Sequence, residues 1–293
     1  MLPERTAQAY GPGITAASKA VLLELMTALR AYREALVLVG GWAPSFLLEQ
    51  HRRAGDAFVH VGSIDIDLAV DPSRVQEPEY ATIVELLRER GYRPASDRRG
   101  GVIPHSFERT VTSPATHKPY AIRVDFLTRP DAAQAGRGRT VPVQDDLLAR
   151  KITGCEAAFA HQTTVTLAGA LPDGGELAVP LRVADLVAML TMKGIVLGER
   201  YREKDAYDLY ALIGHYGEGP REAAAAVRPY LGEPLVGEGV ARIREAFAHR
   251  EAHGPAWVAA FLANPVFRAE HERRVTDAFM TVREFLASLD EGR

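Results

Sequence analysis

The chain has 293 residues, 47% of them hydrophobic, with 35 Lys and Arg against 38 Asp and Glu, a formal net charge of −3 and a pI near 6.3. That length suits one large or two modest globular domains, and the charge balance excludes a global basic field, leaving any RNA contact to a local patch. The single cysteine, Cys155, excludes an intramolecular disulfide framework. No apolar run approaches membrane-spanning length, and Met1 to Arg5 lack the basic-then-apolar pattern of a secretory leader, so the expected location is cytoplasmic with no membrane partner.

Apolar residues at three- and four-residue spacing predict an amphipathic helix from Thr15 to about Leu36, followed by a short buried strand, Ala35 to Val39, that stops at Gly40-Gly41. A second helix is expected from Trp42 or Pro44 to Arg53, with Pro44 tolerated in the first turn. Next comes a strand carrying Gly62-Ser63-Ile64-Asp65-Ile66-Asp67-Leu68-Ala69-Val70, closed by Asp71-Pro72-Ser73. A helix follows from about Glu77 to Arg90, stopped by Gly91, and Arg93 to Gly101 reads as a loop. Strands are expected near His105 to Val111 and Tyr120 to Leu127, then a hairpin from Thr163 to Leu167 and Glu176 to Leu181 around Pro172-Asp173-Gly174-Gly175. Beyond it the pattern is helical: Val183 to Leu197, Glu203 to Tyr216, Arg221 to Leu231, Gly239 to His249, Pro255 to Leu262 and Phe267 to Leu289. The expected division is an α/β core over 1–180 and a helical part over 181–293.

The strand at Asp65 and Asp67 carries the strongest chemical signal. Residues two apart on a strand share a face, so the two carboxylates project together while Ile64, Ile66 and Leu68 face the other way. Adjacent buried anions repel, and the least costly way to keep both ionised is a divalent cation. On a later strand Arg123, Asp125 and Leu127 share a face, which supplies a third carboxylate, although Arg123 is an obvious salt-bridge partner for it.

Gly40-Gly41 between strand and helix, Gly62-Ser63, Asp65-x-Asp67 and Asp125 together resemble the nucleotidyltransferase superfamily with the polymerase-β-like core. Met192-Lys193-Gly194 and the run Arg200 to Leu209 are similar to the later motifs of AbiEii-type nucleotidyltransferases, many of them toxins of bacterial toxin-antitoxin systems. The resemblance implies an α/β (α+β) fold with a mixed sheet. It also implies transfer of a nucleotide from an NTP to an acceptor hydroxyl with two Mg²⁺ ions held by Asp65, Asp67 and Asp125. Asp125 would also help to remove the hydroxyl proton. Backbone amides at Gly40 and Gly41 and the Ser63 hydroxyl would receive the triphosphate, and so would Lys193; Lys204, Asp205 and Asp208 share one helix and would orient the site. Gly40-Gly41 lies some twenty residues upstream of the acids, so two glycine turns remain candidates for gripping the triphosphate.

The acceptor favoured by the resemblance is the 3′ end of tRNA, with a cognate antitoxin as partner. A small hydroxylated acceptor such as an antibiotic, or a nucleotide-binding module without turnover, are the alternatives. Basic clusters at Arg88, Arg90, Arg93, Arg98 and Arg99, and at Arg137, Arg139, Arg150 and Lys151, are the candidate RNA-facing patches. His60, His105 and His117 show no zinc-site spacing and are expected to be structural or on the surface, and Cys155 a small core residue.

Overall fold

The computed structural model describes residues 6–75, 81–130, 138–199, 203–263 and 268–291. The chain divides into two compact units, a sheet unit of Gly11–Ala43 with Gly62–Ala184, and a helical unit of Met1–Tyr10, Pro44–Val61 and Asp185–Arg293. The helical unit thus takes in a stretch of the N-terminal half as well as everything after Ala184.

The sheet unit begins with helix α1 (Pro12–Ala28), whose Pro12 sits where a missing backbone N–H costs nothing, and a 3-10 turn (Arg30–Ala35) replaces the last part of the expected helix. Strand β1 (Leu36–Val39) is buried throughout. After it, α2 (Trp42–His51) starts directly behind Gly40-Gly41. Strand β2 (Ile66–Val70) begins one residue after Asp65, so Asp67 lies within it and Asp65 just ahead of it. Asp71 closes β2 by accepting a hydrogen bond from the Ser73 backbone N–H.

Helix α3 (Ile83–Glu89) opens on a capping box between Thr82 and Glu85; the expected start near Glu77 lies outside the described residues. The Arg93 to Gly101 segment is not all loop, because β3 (Arg93–Ser96) is an edge strand with only Ala95 buried. Strands β4 (Val102–Thr112) and β5 (Pro119–Thr128) match the expected pair. The order of β3 comes from pairing with β4, so it carries little apolar signal of its own. Strands β6 (Thr140–Gln144) and β7 (Leu147–Lys151) and the short helix α4 (Cys155–Ala160) go beyond the sequence expectation, and Cys155 is buried. The hairpin is formed by β8 (Gln162–Ala170) and β9 (Glu176–Ala184).

Among the described residues these strands form one nine-stranded sheet with a path β3-β4-β5-β2-β1-β9-β8, and β7 joins β5 while pairing with β6. It is mixed: β1 pairs β2 antiparallel, whereas β2 with β5, β5 with β7 and β1 with β9 run parallel. On β5, Ile122, Val124 and Phe126 are fully buried, while the alternate residues Arg123 and Asp125 are half-buried. Helix α1 is tied to β4 by a buried cluster in which Glu24 pairs with Arg109 and accepts a hydrogen bond from the Tyr92 hydroxyl.

The helical unit contains α5 (Leu186–Glu199), α6 (Glu203–His215), α7 (Pro220–Val227), α8 (Pro234–Ala246), α9 (His253–Phe261) and α10 (Arg268–Asp290). The expected helix from Val183 starts later, because Val183 and Ala184 finish β9. The fold is therefore α/β, a mixed sheet with a helical C-terminal region, and no described helix is long and apolar enough to cross a membrane.

Candidate active site

Sheet register assembles the acids. Along one row, Val39 of β1 pairs with Asp67 of β2, Asp67 with Asp125 of β5, and Asp125 with Ser106 of β4. Two parallel neighbours in register present their side chains on one face about 4.8 Å apart, the interstrand spacing, so the carboxylates of Asp67 and Asp125 are adjacent. Both are half-buried, as is Asp65, while Ile64, Ile66 and Leu68 are buried. Within β2 only Asp67 interrupts the buried run, and Asp65 lies in the bend ahead of the strand. Ser106, 1% exposed, donates its hydroxyl hydrogen to Asp125 Oδ1. Arg123, the partner anticipated for Asp125, is instead in register with Glu108.

Both glycine turns meet this row. Gly40 has φ +69°, and a Cβ there would overlap Asp67 Oδ2 and stand 2.8 Å from its Cγ, so the Asp67 carboxylate occupies the space that any other residue would fill. Gly62, with φ +73°, packs beneath the Trp42 indole, 3.2 Å from the position of a Cβ. Trp42 is fixed in turn by donating from Nε1 to Ser18 Oγ at 2.9 Å. The Gly40-Gly41-Trp42 turn and the Gly62-Ser63 turn are therefore packed together, with Ser63 only 7% exposed.

The polar side chains on this row, Asp67, Asp125 and Ser106, offer only carboxylate and hydroxyl oxygens, the donor types a hard cation takes. Among the described residues no group of three or more His, Cys, Asp or Glu side chains could hold a metal ion by itself. A Mg²⁺ ion is normally held by one or two protein carboxylates and completes its shell with water and substrate phosphates, and the Asp67–Asp125 pair fits that requirement.

Lys193, Lys204, Asp205 and Asp208 meet in the helical unit. The Lys193 ammonium lies 2.5 Å from Asp205 Oδ1 and 2.8 Å from Asp208 Oδ2, and Lys204 Nζ lies 2.5 Å from Asp208 Oδ1. All four side chains are deeply buried. Lys204 stands over the rings of Tyr10, Tyr207 and Phe261 at 5.3, 5.4 and 5.9 Å. Burial opposes the charge on Lys193, but Asp205 and Asp208 outweigh it and raise its pKa. For Lys204 burial prevails, reinforced by Lys193, and lowers the pKa despite Asp208. Burial would raise the Asp208 carboxyl, yet the two lysines and a hydrogen bond from His60 hold it far below its ordinary range. Arg200 to Arg202 of the same motif lie outside the described residues.

Two members of these clusters carry no functional signal in the sequence. His60 belongs to the second cluster, 3.0 Å from Asp208 Oδ1 through Nε2 and stacked on Tyr207 at 5.2 Å between centroids. The Tyr207 hydroxyl in turn accepts from the Val61 backbone N–H at 3.2 Å. A lone histidine 148 positions from its partner leaves no spacing signal. Ser106 likewise becomes visible only through the β4–β5 register. Of the basic clusters, Arg88, Arg90, Arg93, Arg98, Arg99, Arg139 and Arg150 are exposed and Lys151 half-buried, while Arg137 lies outside the described residues.

The family model for the nucleotidyl transferase AbiEii toxin of type IV toxin-antitoxin systems matches residues 23–282. No curated protein matches the chain, and no solved structure does.

Proposed function

The chain belongs to the AbiEii family of nucleotidyltransferase toxins, and on that premise we propose that it transfers a nucleotide from an NTP to an acceptor hydroxyl, the 3′ end of tRNA, in a Mg²⁺-dependent reaction in the cytoplasm. The observation that carries this reading is the register pair of Asp67 and Asp125, set against a glycine that leaves room for a carboxylate. Asp67 and Asp125, with Asp65 just ahead of β2, would hold the ions, which would supply charge neutralisation on the phosphates. Asp125 takes the proton of the acceptor hydroxyl as that oxygen bonds to the α-phosphorus and pyrophosphate leaves. Backbone amides of the packed Gly40-Gly41 and Gly62-Ser63 turns and the Ser63 hydroxyl receive phosphate oxygens. Within the helical unit Lys193 keeps its charge against Asp205 and Asp208. The family also implies an antitoxin that restrains the activity.

The test is incubation with each labelled NTP, Mg²⁺ and total tRNA. The wild type labels tRNA, and Asp65→Ala and Asp67→Ala lose more than about 100-fold, since even outer-shell partners of a metal are worth about 10–100-fold. An unlabelled tRNA pool with a labelled aminoglycoside would move the acceptor to a small molecule. NTP binding without pyrophosphate release on any acceptor would sink the enzyme reading.

A further inference from the structure

We infer that Ser106 is a positioning residue of this site, fixing which oxygen of Asp125 is presented to the metal ion and the acceptor hydroxyl; the inference rests on the reaction proposed above. Ser106 and Asp125 are directly opposed on antiparallel strands β4 and β5, and the serine hydroxyl donates to Asp125 Oδ1. The serine is 1% exposed, so its hydroxyl has no bulk water to donate to in place of Asp125.

The terminal torsion of an aspartate is a broad, nearly two-fold rotor, and its oxygens exchange freely unless something outside the residue distinguishes them. Ser106 makes that distinction. With Oδ1 occupied, Oδ2 is the oxygen turned to the reaction. The neighbouring Asp67 carboxylate stands where Gly40 lacks a Cβ, and Asp125 accepts a hydrogen from Ser106. A neutral donor suits Asp125, because a cation at this place would lower the affinity of the carboxylate for a metal and its basicity towards a hydroxyl. Arg123, two residues away on β5, is two register positions along, opposite Glu108.

The experiment compares wild type, Ser106→Ala, Ser106→Thr and Asp67→Ala. Mn²⁺ affinity is measured by calorimetry with a non-hydrolysable NTP analogue, alongside kcat and KM for NTP and the melting temperature. Ser106→Ala is expected to lose about 10–100-fold in metal affinity and a similar factor in kcat, with KM for NTP little changed. Ser106→Thr, which keeps the hydroxyl, restores most of both. Unchanged metal affinity in Ser106→Ala, a loss that Ser106→Thr does not repair, or a wild type that binds no Mn²⁺ would each overturn the inference. A wild type that binds Mn²⁺ but transfers no nucleotide would remove the proposed reaction, while the metal titration would still decide on Ser106. Activity abolished by Asp67→Ala but untouched, with metal affinity, by Ser106→Ala would remove the Ser106 role alone.

Discussion

In the sheet unit, Asp67 and Asp125 stand half-buried beside one another, and the hydrogen bond that fixes Asp125 comes from a neutral hydroxyl. In the helical unit, Asp205 and Asp208 are 3% and 0% exposed, and each lies within 2.5 Å of a lysine ammonium. The residue types are the same, but the charges are handled in opposite ways. Where the carboxylates have been neutralised internally, removing one strands a cation in a low-dielectric interior. Where two like charges have been set side by side, their mutual repulsion costs stability.

The sharpest way to break this comparison is to remove one acid from each unit. Asp208→Ala leaves Lys204 enclosed by Tyr10, Tyr207 and Phe261 and takes one of two partners from Lys193, so a loss of about 3–5 kcal/mol is expected in urea or thermal unfolding. Asp67→Ala, at a half-buried position beside a second carboxylate and not among enclosed lysines, should cost less stability than Asp208→Ala, while abolishing transfer. The reverse order of stabilities would mean that the sheet acids are structural and the helical network is not.

A second substitution sharpens the sheet side. Gly40→Ala places a Cβ where the Asp67 carboxylate now sits and strains a backbone at φ +69°, for an expected cost of about 2–3 kcal/mol. Because the clash falls on Asp67, metal affinity should drop along with stability. Gly41→Ala is the control, and equal effects from the two glycines would show that the turn alone, and not the carboxylate beside it, sets the requirement.

What is legible in the sequence follows from the range of each interaction. Asp67 is readable because strand patterning is local, and Lys204 with Asp208 because helical spacing is local, whereas Asp65 falls just ahead of the strand expected to carry it. The order of motifs then supplies the family, and the family model agrees over 23–282. Ser106 is invisible because its pairing with Asp125 depends on a register between β4 and β5, and β3, β6 and β7 because short strands draw their order from their neighbours. The seating of Asp67 on Gly40 needs the positive φ and the packing of β1 against β2 together. His60 shows no metal-site spacing along the chain, and its partner is supplied by a helix far beyond it.

That histidine gives the helical network a pH dependence. Burial, with Lys204 and Lys193 pushing the same way against Asp208, lowers the His60 pKa from 6.5 to about 4. Tyr207, stacked on the ring, has a hydroxyl whose pKa burial raises, so it stays neutral here. A group whose pKa is lower in the folded state contributes its full stability above 6.5 and loses it as the unfolded chain takes up the proton below that value. Between pH 7 and pH 5 the His60 share of this loss is about 2 kcal/mol. Asp208 adds a loss of the same sign, but only at lower pH, as the unfolded carboxyl begins to protonate. His60→Asn keeps a polar contact to Asp208 without a group that titrates in this range. Its unfolding free energy should therefore fall less steeply from pH 7 to pH 5 than that of the wild type, and parallel slopes would show that His60 is not held neutral by its burial and the two lysines.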